Sequence, residues 1–115
     1  MITRIKGGKR MSQAVVHGNT VYLAGQVASD RSADTAGQTR EILATIDGLL
    51  AEAGTDKTRV LTATIYLADM KTFNEMNSVW DAWVAPDCAP ARATVEAQLA
   101  PSGYRVEIVI TAARP

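Results

Sequence analysis

The sequence predicts an α+β fold, with two helices laid on one face of a mixed β-sheet. Three observations lead there. Apolar residues recur at helical spacing from Ile42 to Ala53 and again from Phe73 to Trp83. Apolar and polar side chains alternate through residues 60–68, 92–99 and 104–113. A Gly18-Asn19 pair separates two short strand-like runs near the N-terminus. Each of these elements has one dry side, and helices packed on a sheet bury both kinds in two layers.

The elements follow in chain order. Residues Gln13 to Val16 and Thr20 to Leu23 read as strands of a hairpin whose turn is His17-Gly18-Asn19, because Gly and Asn tolerate positive φ. Ala24-Gly25-Gln26 ends the second strand, and the small, polar stretch Ser29 to Gly37 reads as a loop. In the first helix Ile42, Leu43, Ile46, Leu49, Leu50 and Ala53 form the apolar stripe; Asp34 or Thr35 caps its start and Gly54 its end. A strand over about Val60 to Ala68 sets Leu61, Ala63, Ile65 and Leu67 against Thr62, Thr64 and Tyr66. Thr72 and Glu75 have the spacing of a capping box and open a second helix running to about Val84, with Phe73, Met76, Trp80 and Trp83 as its stripe. Pro86 and Pro90 shape the following loop. Two strands close the chain, about Arg92 to Leu99 and Tyr104 to Ala113, with the turn Pro101-Ser102-Gly103 between them. In the first, Ala93, Val95, Ala97 and Leu99 oppose Arg92, Thr94, Glu96 and Gln98. In the second, Val106, Ile108, Ile110 and Ala112 oppose Arg105, Glu107, Val109 and Thr111. The second sheet face then carries Thr, Tyr, Val, Arg and Glu, a mixture suited to contact with further copies of the chain.

Composition narrows the function classes. The 115 residues suit one domain, residues 1–115, and the 47% apolar and 21% charged fractions are ordinary for a globular protein. Twelve basic residues balance twelve acidic ones, which removes the long-range attraction that a nucleic acid or an anionic bilayer needs. No nucleic-acid partner is expected. One cysteine, Cys88, makes no internal disulfide, and with one histidine, His17, it cannot build a Cys/His zinc site. No run is long and apolar enough to span a membrane, and no apolar h-region follows the N-terminus. A cytoplasmic protein is expected. No internal repeat, phosphate-binding loop, dinucleotide fingerprint or nucleophile elbow is present.

Three residues stand out. Arg92 follows a proline-bracketed loop and opens a strand, where a guanidinium can grip a carboxylate through two parallel hydrogen bonds; the plain alternative is an exposed arginine at a strand end. Glu107 is a charge in mid-strand, able to hold water and move protons, or else salt-bridged to Arg92 or Arg105. Asn77 interrupts the stripe of the second helix, so its amide needs a partner, either loop backbone or a ligand. His17 reads as a solvated turn residue, Cys88 as a bystander, and Trp80 and Trp83 as core.

Ala89-Pro90-Ala91-Arg92-Ala93-Thr94-Val95, with Val106-Glu107-Ile108 fifteen residues on from Arg92 to Glu107, resembles the RidA/YjgF family of enamine/imine deaminases. The resemblance also takes in Leu23-Ala24-Gly25-Gln26, Gln38-Thr39 and Phe73-x-x-x-Asn77, and so nearly the whole chain. It implies a chorismate-mutase-like fold and a homotrimer with sites between subunits. It implies cofactor-independent hydrolysis of reactive 2-imino acids to 2-oxo acids and ammonia. Carried over, Arg92 matches the arginine that binds the substrate carboxylate, Glu107 the acid that positions water, Asn77 a site-lining asparagine, and Gly25 a glycine whose backbone lies against the ligand. The chain departs from the deaminase pattern at Ala24, where a serine is usual, at Thr94, where a cysteine is usual, and at Met11, where a tyrosine is usual. Two other readings stand beside deamination: a non-catalytic or regulatory binder of small carboxylates, and action on RNA, which the neutral charge disfavours.

Overall fold

In the computed structural model, which describes residues 1–99 and 101–115, eight main elements follow one another. They are β1 (Ile2–Ile5), β2 (Ala14–His17), β3 (Thr20–Leu23), α1 (Thr35–Glu52), β4 (Val60–Leu67), α2 (Phe73–Trp83), β5 (Ala91–Glu96) and β6 (Val106–Ala113). The strands make one six-stranded sheet in the order β1-β2-β3-β6-β4-β5. Only β4 and β5 run parallel, joined through α2; all other neighbours are antiparallel. This is the predicted mixed sheet with two helices on one face.

The core lies between the helices and the faces of β2, β3, β4 and β6 that carry Ala14, Val16, Val21, Leu23, Ala63, Ile65, Leu67, Val106, Ile108, Ile110 and Ala112. Against them pack Ile42, Leu43, Ile46, Leu49 and Leu50 of α1 and Met76 and Trp80 of α2. The alternation read in residues 106–112 is therefore the core alternation. Asp34 caps α1, accepting from the Gly37 N–H. At the other end Gly54 has φ +85°, and the N–H groups of Gly54 and Thr55 bond back to Ala51 and Leu50, the pattern of a Schellman cap. Gly18, at φ +61°, takes the first central position of the β2–β3 turn.

Several expectations are corrected. β1, unread in the sequence, adds a strand beyond β2 because Ile2 to Ile5 pair with Ala14 to His17. Leu61 is exposed, since a bulge between Val60 and Thr62 on the β6 pairing turns it out of the alternation. The capping box of α2 does not form. Thr72 Oγ1 donates instead to the Asp69 carbonyl, and Glu75 accepts from the Ala36 N–H of α1 at 2.8 Å, tying the two helix starts together. β5 ends at Glu96 and is not β6's neighbour; β4 lies between them, so residues 101–103 turn within a crossover and not within a hairpin. Gln38 anchors that crossover: wholly buried, it donates to the Ala33 and Gly103 carbonyls and accepts from the Arg105 N–H.

The largest correction concerns β5. Its register sets Arg92 beside Ala63 and Thr94 beside Ile65, both buried under the helices, whereas Ala93 and Val95 sit beside Thr64 and Tyr66. Arg92 and Thr94 therefore face the helix layer, and Ala93 and Val95 face outward. Alternation alone cannot choose which side of an edge strand points in.

Candidate functional site

At the β5 edge the sheet is capped by one face of α2. Phe73, Asn77 and Trp80 recur at i, i+4 and i+7, so all three point down onto the same strand. Arg92 rises between them. Its guanidinium donates to Asn77 Oδ1 at 2.7 Å and lies 5.4 Å from the Trp80 ring centre and 5.9 Å from that of Phe73. Aromatic faces attract the cation and hold its plane, and the amide oxygen fixes one nitrogen. Arg92 is half-buried and has no carboxylate partner among the described residues. Two residues along, on the same side of the strand, the Thr94 hydroxyl oxygen is buried without a hydrogen-bond partner among the described residues. An unpartnered buried hydroxyl is costly unless a ligand or water meets it. Asn77 thus finds its partner in Arg92 and not in loop backbone.

The second group lies on the open face. Glu107 stands opposite Tyr66 on β6, half-buried, and makes no salt bridge with Arg92 or Arg105. It passes directly over Gly25: a Cβ at Gly25 would lie 2.9 Å from the Glu107 Cδ, inside any real contact distance. The glycine is needed for this approach of carboxylate to backbone. Ala24 and Gly25 are steadied from behind. The Ala24 N–H donates to the Gln13 carbonyl, and the buried Gln26 side chain donates to Gln13 Oε1 and to the Ala24 carbonyl. Met11, two residues before Gln13, is exposed at this edge.

Arg92, Asn77 and Thr94 are thus gathered in one place, and Glu107, Gly25 and Ala24 in another. The two groups lie on opposite faces of the sheet, with β4 between their strands. The endoribonuclease L-PSP family model matches residues 1–114. A RutC family protein of Haemophilus ducreyi is 51% identical over 113 residues, covering 98% of this chain and 97% of its own. The chain belongs to the endoribonuclease L-PSP family, that of the RutC and YjgF proteins. A YjgF-family protein of Neisseria meningitidis has the same fold, with a TM-score of 0.97 at 48% identity, covering all of this chain and 96% of its own. A human family member, 33% identical over 103 residues that cover 84% of this chain and 74% of its own, is a 2-iminobutanoate/2-iminopropanoate deaminase.

Within this family member the remaining candidates stay apart from both groups. His17 is exposed at the end of β2, and Cys88 is half-buried in the loop after α2, its N–H bonded to the Ala85 carbonyl. Among the described residues no cluster of three His, Cys, Asp or Glu could hold a metal, and no helix is long and apolar enough to cross a membrane. In the sequence Trp80 reads only as core, and Phe73 as core and as part of the Phe73-x-x-x-Asn77 resemblance. Their shared spacing with Asn77 is the signal that would have set them around Arg92.

Proposed function

We propose that this family member hydrolyses 2-imino acids to 2-oxo acids and ammonia. What carries the reading is the pair of unused donors on β5: the free edge of the Arg92 guanidinium and the buried Thr94 hydroxyl. Together they suit a small planar carboxylate, entering beneath the Trp80 and Phe73 rings. The human relative's named activity supports the same class of substrate.

The two groups on opposite faces are united if a second copy of the chain brings its Glu107 and Gly25 against Arg92 of the first. A homotrimer with three such interfaces is the arrangement proposed, and the uncovered sheet face with Tyr22 and Val95 exposed supports it. Arg92 and Thr94 hold the substrate carboxylate, which fixes the C=N carbon. Glu107 accepts a proton from water as its oxygen bonds to that carbon, and the C=N π pair moves to nitrogen. Glu107 passes that proton to the nitrogen, then takes the proton of the new hydroxyl and passes it on in turn; the C–N bond breaks, ammonia leaves with the bonding pair and a C=O remains. The imine carbon is already electrophilic, so the step draws on no cofactor.

The test is the decay of 2-iminopropanoate or 2-iminobutanoate, generated in situ by an amino-acid oxidase. Acceleration is expected, unaffected by EDTA. Glu107→Gln should slow it by about 10² or more, as loss of a general base does, with little change in 2-oxo acid binding. Arg92→Ala should weaken that binding about 10- to 150-fold, the value of charge-assisted hydrogen bonds. If 2-oxo acids bind at Arg92 but imines of several sizes decay no faster than in buffer, the chain is a carboxylate binder instead.

A further inference from the structure

The charge of this chain is balanced overall and unbalanced along its length. Residues 1–29 hold Arg4, Lys6, Lys9 and Arg10 and no acid; the first carboxylate is Asp30. Three of these cations occupy the β1–β2 loop, with Met11 and Gln13, around an open groove of about 590 Å³. The loop is braced. Lys6 turns the chain at φ +51°, the Gly8 N–H donates to the Met11 carbonyl at 2.8 Å, and the Gln13 N–H closes on the Ile5 carbonyl at 3.0 Å. Lys9 and Arg10 are thereby held in its bend, without a carboxylate partner among the described residues, and Lys6 has only Glu52 at 3.9 Å.

The groove adjoins the Glu107 group through Gln13, whose carbonyl accepts from Ala24 and whose side chain accepts from Gln26. Unpaired cations held beside a carboxylic-acid site favour a substrate that carries charge at both ends. We propose that the β1–β2 loop selects imino acids with a second, distal carboxylate, which Arg10 and Lys9 receive while Arg92 of the neighbouring copy holds the first. This inference rests on the inter-subunit site proposed above and names its substrate class.

The probes are 2-oxoglutarate against 2-oxobutanoate in calorimetry, and the imines made in situ from glutamate and alanine. The dicarboxylate is expected to bind about tenfold more tightly at low salt and to lose that margin as salt rises. Lys9→Ala/Arg10→Ala should abolish the margin and leave 2-oxobutanoate binding and 2-iminopropanoate decay unchanged. Equal affinities for the two oxo acids, or a margin that survives the double variant, would overturn the proposal while the deaminase reading stands. If neither oxo acid binds, both fall. A short single-stranded RNA that binds through Lys9 and Arg10, with no dicarboxylate preference, would also overturn it.

Discussion

At the scale of single residues, the two groups depend on close approaches that leave room for one side chain only. Gly25 is the sharper case, because a methyl there would lie 3.2 Å from the Glu107 Cγ and nearer still to its carboxyl carbon. The obstacle is a side chain and not backbone, so Gly25→Ala is expected to fold and to push the carboxylate aside. Turnover should then fall by about 10² or more while 2-oxo acid binding at Arg92 changes little, read from kcat beside calorimetry. Trp80 answers to a different test, because it both fills the core and walls the guanidinium. Trp80→Leu should cost about 2–4 kcal/mol of stability through the cavity it leaves. It should also weaken 2-oxo acid binding about tenfold, whereas Trp80→Phe, which keeps a ring face, should hold affinity to within about threefold. A purely structural role would leave affinity unchanged in both variants, once each is measured well below its unfolding transition.

Among the elements, the start of α1 is where packing overrides a local rule. Asp34 meets the Gly37 N–H as its own cap, but the Ala36 N–H is met by Glu75 from α2. Glu75→Ala should therefore cost about 1–2 kcal/mol, measured as a urea midpoint, and Thr72→Ala less than about 0.5, since Thr72 makes no cap hydrogen bond. A capping box would reverse that order by making Thr72 matter as much as Glu75. The same contrast explains what the sequence could reveal. The stripes of α1 and α2, the Asp34 and Gly54 caps and the alternation of β6 were legible because each is a local pattern with a single dry side. The facing of β5 was not legible. Ala93 and Val95 look like the buried side of that strand, yet they lie outward because Arg92 is held by Asn77 of α2 and the pleat carries Thr94 to the same side. Arg92, Asn77 and Glu107 could be picked out as charges or amides in apolar surroundings. Their division into two groups could not, because it follows from strand order and register, which depend on pairing between distant segments. Thr94 is marked in the sequence only through the resemblance, as the position two residues after Arg92 where a cysteine is usual; that its hydroxyl is buried without a partner among the described residues was not legible.

For the whole molecule, the slab measures 41 × 37 × 19 Å, two layers thick, with helices on one side of the sheet and an open face on the other. Val15, Tyr22, Thr64, Tyr66, Val95, Glu107, Val109 and Thr111 lie on that open face by register. Light scattering should give three times the 12.3 kDa chain mass at micromolar concentration. Assembly alone does not prove a shared site, but complementation between two impaired variants does. Arg92→Ala removes one group and leaves Glu107; Glu107→Gln removes the other and leaves Arg92. Each variant by itself should fall well below a quarter of the native rate, by the factors given above, whichever way the site is built. When the two are co-expressed in equal amounts, a site formed between copies draws its arginine from one chain and its glutamate from another. Random assembly then leaves about a quarter of the sites with both native groups, and about a quarter of the native imine-decay rate should return. A site contained in one chain has no such route, because no single chain in the mixture carries both residues. Activity that stays at the level of the separate variants, in mixed trimers verified by mass spectrometry, would exclude the inter-subunit arrangement.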